Sequence, residues 1–70
     1  MSMSEKIRIA LIKKGMSLTE FSEKIDSSPQ NLSAKLRRDN FSEKEIALMA
    51  EAIDCDYQII LTDRKTGEQY

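Results

Sequence analysis

Histidine and tryptophan are absent from the 70 residues, and the chain has one cysteine, one proline and two glycines. Each scarcity removes a class of chemistry. Without histidine, and with Cys55 as the sole thiol, there is no Cys/His zinc set, no histidine-centred acid–base pair and no disulfide framework within the chain. Cys55 reads as a half-buried apolar residue rather than a reactive thiol, and a lone thiol fits a reducing compartment. The first apolar run, Ile9 to Ile12, is too short for the core of a signal peptide, and no stretch approaches a membrane span. The expectation is a cytoplasmic protein with no membrane partner. Carboxylates are plentiful, but no partner base, phosphate-binding glycine loop or metal-ligand set accompanies them. The chain is therefore expected to be no enzyme and to need no metal or cofactor.

What is present points to a small folded domain. With 40% hydrophobic and 33% charged residues, the chain can build one packed core near the lower size limit for folding unaided. The net charge of −1 does not suggest a polyanion as partner, but its distribution does. Residues 1–38 carry eight Lys/Arg against four Asp/Glu, net +4, while residues 39–70 carry three against eight, net −5. Because salt screens charges beyond roughly 8 to 10 Å, a phosphate backbone responds to the local patch more than to the total.

The stretch from Ser17 to Arg38 organises the rest. Ser17-Leu18-Thr19-Glu20 has the form of a capping box, in which the Ser17 hydroxyl accepts from the amide three residues on and the Glu20 carboxylate reaches back. Met16 and Phe21 have the spacing of a hydrophobic staple around that helix start, and the helix is expected to run to about Ile25. Asp26-Ser27-Ser28 breaks it, since these side chains compete for nearby backbone. Ser28-Pro29 restarts a helix, with proline at the position where a missing donor costs least. In this third helix Leu32 and Leu36 share one face, which must be buried. Gln30, Ala34 and Arg37 fall opposite, flanked by Asn31 and Arg38. The bland account of that outer face is simple solvation. Its chemistry also suits base edges: carboxamides near the helix start, a small residue permitting close approach, then guanidinium groups.

Ile7 to Ile53 resembles the helix-turn-helix domain of the Cro and phage-repressor type, also called the XRE family of transcriptional regulators. The matching residues are the helix start Leu18-Thr19-Glu20-Phe21, the recognition-helix start Ser28-Pro29-Gln30-Asn31-Leu32, and the closing helix Ile46 to Ile53. Ser-Pro-Gln-Asn-Leu followed by Arg38-Asp39-Asn40-Phe41 is similar to a group of small bacterial members. The turn position usually held by glycine is Asp26, which tolerates a left-handed conformation better than most residues. The resemblance implies sequence-specific binding of double-stranded DNA by a small regulator, most simply a repressor, with residues 29–38 in the major groove. Gln30, Asn31, Ala34 and Arg37 are then the candidate base contacts. Ser17, Thr19, Ser28, Lys35, Arg38 and Asn40 are the candidate phosphate contacts.

The flanking segments complete a mainly α fold of four helices. Ser2 to Glu5 permits a further capping box, and Lys13-Lys14-Gly15 is a helix stop, so the first helix spans about Met3 to Lys14. Ser42 with Glu45, and Phe41 with Ile46, repeat the cap and staple before a stripe of Ile46, Met49, Ala50 and Ile53. Residues 1–56 thus form the bundle. Residues 57–70 read as a C-terminal β-strand or hairpin, Tyr57 to Thr62 returning through Asp63-Arg64-Lys65-Thr66-Gly67 to Glu68-Gln69-Tyr70. An isolated hairpin is barely stable, so Tyr57, Ile59, Ile60 and Leu61 are the candidate dimerisation residues of a homodimer. The alternative is a protein-interaction module, antitoxin-like or adaptor, that uses the hairpin and the acidic half on a protein partner.

Overall fold

The structure is a computed structural model that describes residues 2–70. Four helices follow one another: α1 (Met3–Lys14), α2 (Leu18–Lys24), α3 (Pro29–Arg38) and α4 (Glu43–Ala52). None is long and apolar enough to cross a membrane. Ile7 and Leu11 of α1, Phe21 of α2, Leu32 and Leu36 of α3, and Met49 with the following Ile53 form the buried cluster. Met16 and Phe41, the two residues placed before helix caps, pack against it.

All four helices begin on a serine whose hydroxyl accepts from the backbone amide three residues on: Ser2, Ser17, Ser28 and Ser42. Among the described residues the reciprocal half of the capping box, a glutamate accepting from the cap amide, is present only at Ser42 and Glu45. At Ser17 the Glu20 carboxylate instead accepts from the serine hydroxyl at 3.4 Å.

The helix ends use left-handed residues, as short helices need in order to satisfy their last carbonyls. Gly15 (φ 66°) ends α1, but Asp26 (55°), Asp39 (52°) and Asp54 (55°) stand at the other three ends. After α1, α2 and α4 the paired bonds of a Schellman motif close the helix: Gly15 to Ile12 with Met16 to Leu11, Asp26 to Glu23 with Ser27 to Ser22, and Asp54 to Glu51 with Cys55 to Ala50.

α3 ends differently. The Asp39 amide donates to the Lys35 carbonyl, four residues back, which leaves the Leu36 carbonyl without its Schellman partner. The Ser4 hydroxyl of α1 donates to that carbonyl at 2.5 Å, and the Ser4 amide, itself unpaired within the first turn of α1, donates to the Asp39 carboxylate at 2.9 Å. The start of α1 and the end of α3 thus satisfy each other.

The C-terminal segment departs from expectation. No strand forms among the described residues; the pairing is reduced to one antiparallel bridge, Thr62 to Gln69. The turn itself closes as its residues require. The Asp63 carboxylate accepts from the Lys65 and Thr66 amides at 2.8 and 3.1 Å, and Gly67 takes φ 76°. Tyr70 bonds to Leu61, and among the described residues no ladder hydrogen bond reaches Tyr57 to Ile60, which thus lack the partner a strand needs. This segment makes the molecule elongated, 44 × 22 × 19 Å, with a radius of gyration of 13.8 Å. A compact chain of this length has about 11 Å.

Two outcomes follow from these contacts. Asp39→Gly relieves a left-handed backbone but removes the acceptor of the Ser4 amide, so it should lower stability by about 1 kcal/mol more than Asp26→Gly, which loses no such bond. Asp39→Asn, able to keep both the conformation and the acceptor, should lie close to the parent in urea titrations. The amides of Lys65 and Thr66 hold the Asp63 carboxyl below its usual range. A carboxyl depressed in the fold stabilises the turn above its unfolded value, and that contribution fades as pH falls through the lowered one. The Lys65 and Thr66 amide resonances should accordingly titrate below the ordinary carboxylate range, and an ordinary Asp midpoint would contradict this.

Candidate nucleic-acid interface

The candidate surface is positioned by the bend between α2 and α3. Ile25 caps α2, Asp26 turns through the left-handed region, and Ser28 in an extended conformation starts α3. Ser28 accepts from the Asn31 amide at 3.1 Å, and Pro29 occupies the first helical position. α2 and α3 pack on each other. Phe21 is fully buried and Leu32 and Leu36 are each 2% exposed, which anchors both helices in the core.

Anchoring by two leucines four apart settles the orientation of everything else on α3. Gln30, Asn31, Arg37 and Arg38 are exposed and Ala34 is half-buried, so the polar face expected outward is outward. The structure then separates these residues into two flanks. Asn31, Ala34, Lys35 and Arg38 line a groove of about 440 Å³ between α3 and α4, whose other wall includes Ile25, Leu48 and Met49. Lys35, Arg38 and Asn40 continue into an adjoining depression with Phe41, Ser42 and Glu45. Gln30 and Arg37 belong to neither; seven residues apart, they form a stripe on the opposite flank, with Ala34 between the two sides.

The expected phosphate contacts are not equivalent. Thr19 and Asn40 are exposed, and neither side chain enters a hydrogen bond within the described residues. Ser17 and Ser28 are occupied as caps, and the Ser17 hydroxyl is turned to the Glu20 carboxylate, a group that repels phosphate. Lys35 forms an ion pair with Glu45 of α4. Among the described residues, Arg37 and Arg38 have no carboxylate within ion-pairing distance. The last turn of α3 therefore presents two free guanidinium groups and one neutralised ammonium.

Of the four candidate dimerisation residues, Ile59, Ile60 and Leu61 are exposed with no role in the core. Tyr57 is also exposed, but its hydroxyl bonds the Glu43 carboxylate at 3.3 Å, which folds the start of the tail back along α4. Partial desolvation and then the Glu43 charge push the Tyr57 phenol above its ordinary value.

Three residues acquire roles that the sequence pattern did not reveal. Ser4 and Asp39 hold the end of α3, and Glu45, legible only as half of a capping box, reaches across to Lys35. No short-range signal identifies them, because each partnership joins different helices. Ser4 stands three and seven positions before Ile7 and Leu11, so its place on the inward face of α1 is readable in the sequence, but its partner is not. Comparisons with protein-family models, with curated proteins and with solved structures each find no match to this chain.

Proposed function

We propose that the chain is a helix-turn-helix regulator of the Cro and phage-repressor type. It binds double-stranded DNA sequence-specifically in the cytoplasm, as a homodimer, and represses by occupancy. The observation that carries this reading is the disposition of α3: two leucines inward, with Gln30, Asn31 and Arg37 outward on a helix held at both ends. A helix of that kind, presenting carboxamide and guanidinium groups, matches the donor and acceptor pattern of the major groove.

The division of labour follows from chemistry. Gln30 suits adenine and Arg37 suits guanine, with Asn31 and Ala34 completing the reading surface, Ala34 by meeting a thymine methyl. Arg38, Thr19 and Asn40, with the amides at the start of α3, serve phosphates and supply most of the affinity. The tail supplies the two-fold axis. Tyr57 to Ile60 leave backbone groups unpaired beside exposed Ile59, Ile60 and Leu61, a template for pairing with a second copy; reading paired half-sites requires recognition helices about 34 Å apart.

A second reading is favoured by the same apolar tail, which would equally serve a protein partner in an antitoxin-like or adaptor role. Fluorescence anisotropy on mixed genomic duplex at about 50 mM salt separates the two, because even non-specific DNA affinity registers there. Silence in that titration would leave only the protein-binding role.

Once bound sequences have been selected from a random pool, Gln30→Ala and Arg37→Ala should each cost roughly 1 to 3 kcal/mol at one base pair and little elsewhere. Arg38→Ala should weaken all duplexes alike and reduce the salt slope by about 1. Equal losses on specific and random duplex for all three would refute the assignment. Sedimentation at tens of micromolar should find a dimer, and removal of residues 57–70 a monomer; a monomer in both cases rules out the tail as the two-fold contact.

A further inference from the structure

Glu45 occupies an unusual place beside the candidate interface. It lies in the first turn of α4, and one carboxylate oxygen accepts from the Ser42 amide at 3.0 Å while the other pairs with the Lys35 ammonium of α3. The capping bond orients the carboxylate, so its hold on Lys35 does not depend on ordering a free side chain. Both side chains are about one-third exposed, at 32% and 33%, and they line the same depression as Arg38 and Asn40. Lys35 is thus the one cation of the last turn of α3 that meets a carboxylate before it meets solvent, whereas Arg37 and Arg38 do not.

We infer that Glu45 is an intramolecular competitor for DNA phosphate, keeping Lys35 from the backbone and so setting affinity while leaving the bases read by Gln30 and Arg37 unchanged. This rests on the DNA-binding reading above. A phosphate that engaged Lys35 would have to displace a carboxylate already in place, or leave Glu45 as an uncompensated negative charge beside the duplex. Lys35 therefore contributes little to counterion release in the parent protein. Discrimination by Gln30 and Arg37 is unaffected, since both lie on the other flank of α3, whereas Asn31 and Ala34 share the groove with Lys35.

Glu45→Gln tests this cleanly, because a glutamine carbonyl still accepts from the Ser42 amide and preserves the helix cap. Circular dichroism should show an unchanged fold. In anisotropy titrations on mixed genomic duplex, Glu45→Gln should bind roughly two- to fivefold tighter, the range expected from losing a competing surface ion pair. Its log–log salt slope should be steeper by about 0.9, one additional phosphate contact. Lys35→Ala should leave the slope nearly unchanged in the parent but abolish the gain in the Glu45→Gln background. Equal affinity and slope for parent and Glu45→Gln would overturn the inference, as would a Lys35→Ala loss in the parent as large as in the variant. If neither protein binds duplex at about 50 mM salt, the DNA-binding reading itself fails and the inference goes with it. That result is distinguishable from the other two.

Discussion

The hydroxyl of Ser4 donating to the Leu36 carbonyl, with the Ser4 amide donating to Asp39, is the contact on which the position of α3 depends. A helix leaves four amides unpaired at its start and four carbonyls at its end, and those groups are costly when buried. With helices of only 7 to 12 residues, these end groups are a large share of the backbone. Serine caps take one amide at each start, and left-handed residues take carbonyls at each end. At the α1–α3 junction the unpaired backbone groups of two helix ends find partners in each other's residues, and there Ser4 is buried.

The consequence reaches the outer face of α3. Its start is held by Ser28, its end by Asp39 and Ser4, and its inner face by Leu32 and Leu36, while the side chains of Gln30, Asn31, Arg37 and Arg38 make no hydrogen bond or ion pair among the described residues. Gln30, Asn31, Arg37 and Arg38 are exposed and left without a structural task, because those tasks fall to other residues. Short isolated helices are marginal in water, so a ten-residue helix such as α3 depends on such support at both ends.

Electrostatics then refine what the scaffold presents. The chain as a whole is nearly neutral, yet its first 38 residues are basic and the remainder acidic. Among the described residues the ion pair between the two halves is Lys35 with Glu45, where the acidic half extends into the basic one. A surface built this way exposes fewer unpaired cations than its composition suggests.

Much of this was legible from local rules. Helix starts at Ser2, Ser17, Ser28 and Ser42, the bounds of α1, the left-handed turn at Asp26, the inward pair Leu32 and Leu36 and the outward Gln30 and Arg37 each depend on residues within about four positions of one another, the reach of caps and helical periodicity. The strand expected at Tyr57 to Thr62 failed because β-structure needs a partner, and residue preference does not supply one. Likewise the Ser4 clasp and the Lys35–Glu45 pair join residues 35 and ten positions apart on different helices, and which side chains meet there is decided by how the helices pack. The sequence by itself determined the elements and the faces they bury, since those follow from short-range backbone and side-chain chemistry. Tertiary structure alone decided which exposed charges remain free, since that depends on distances between helices that no periodicity encodes.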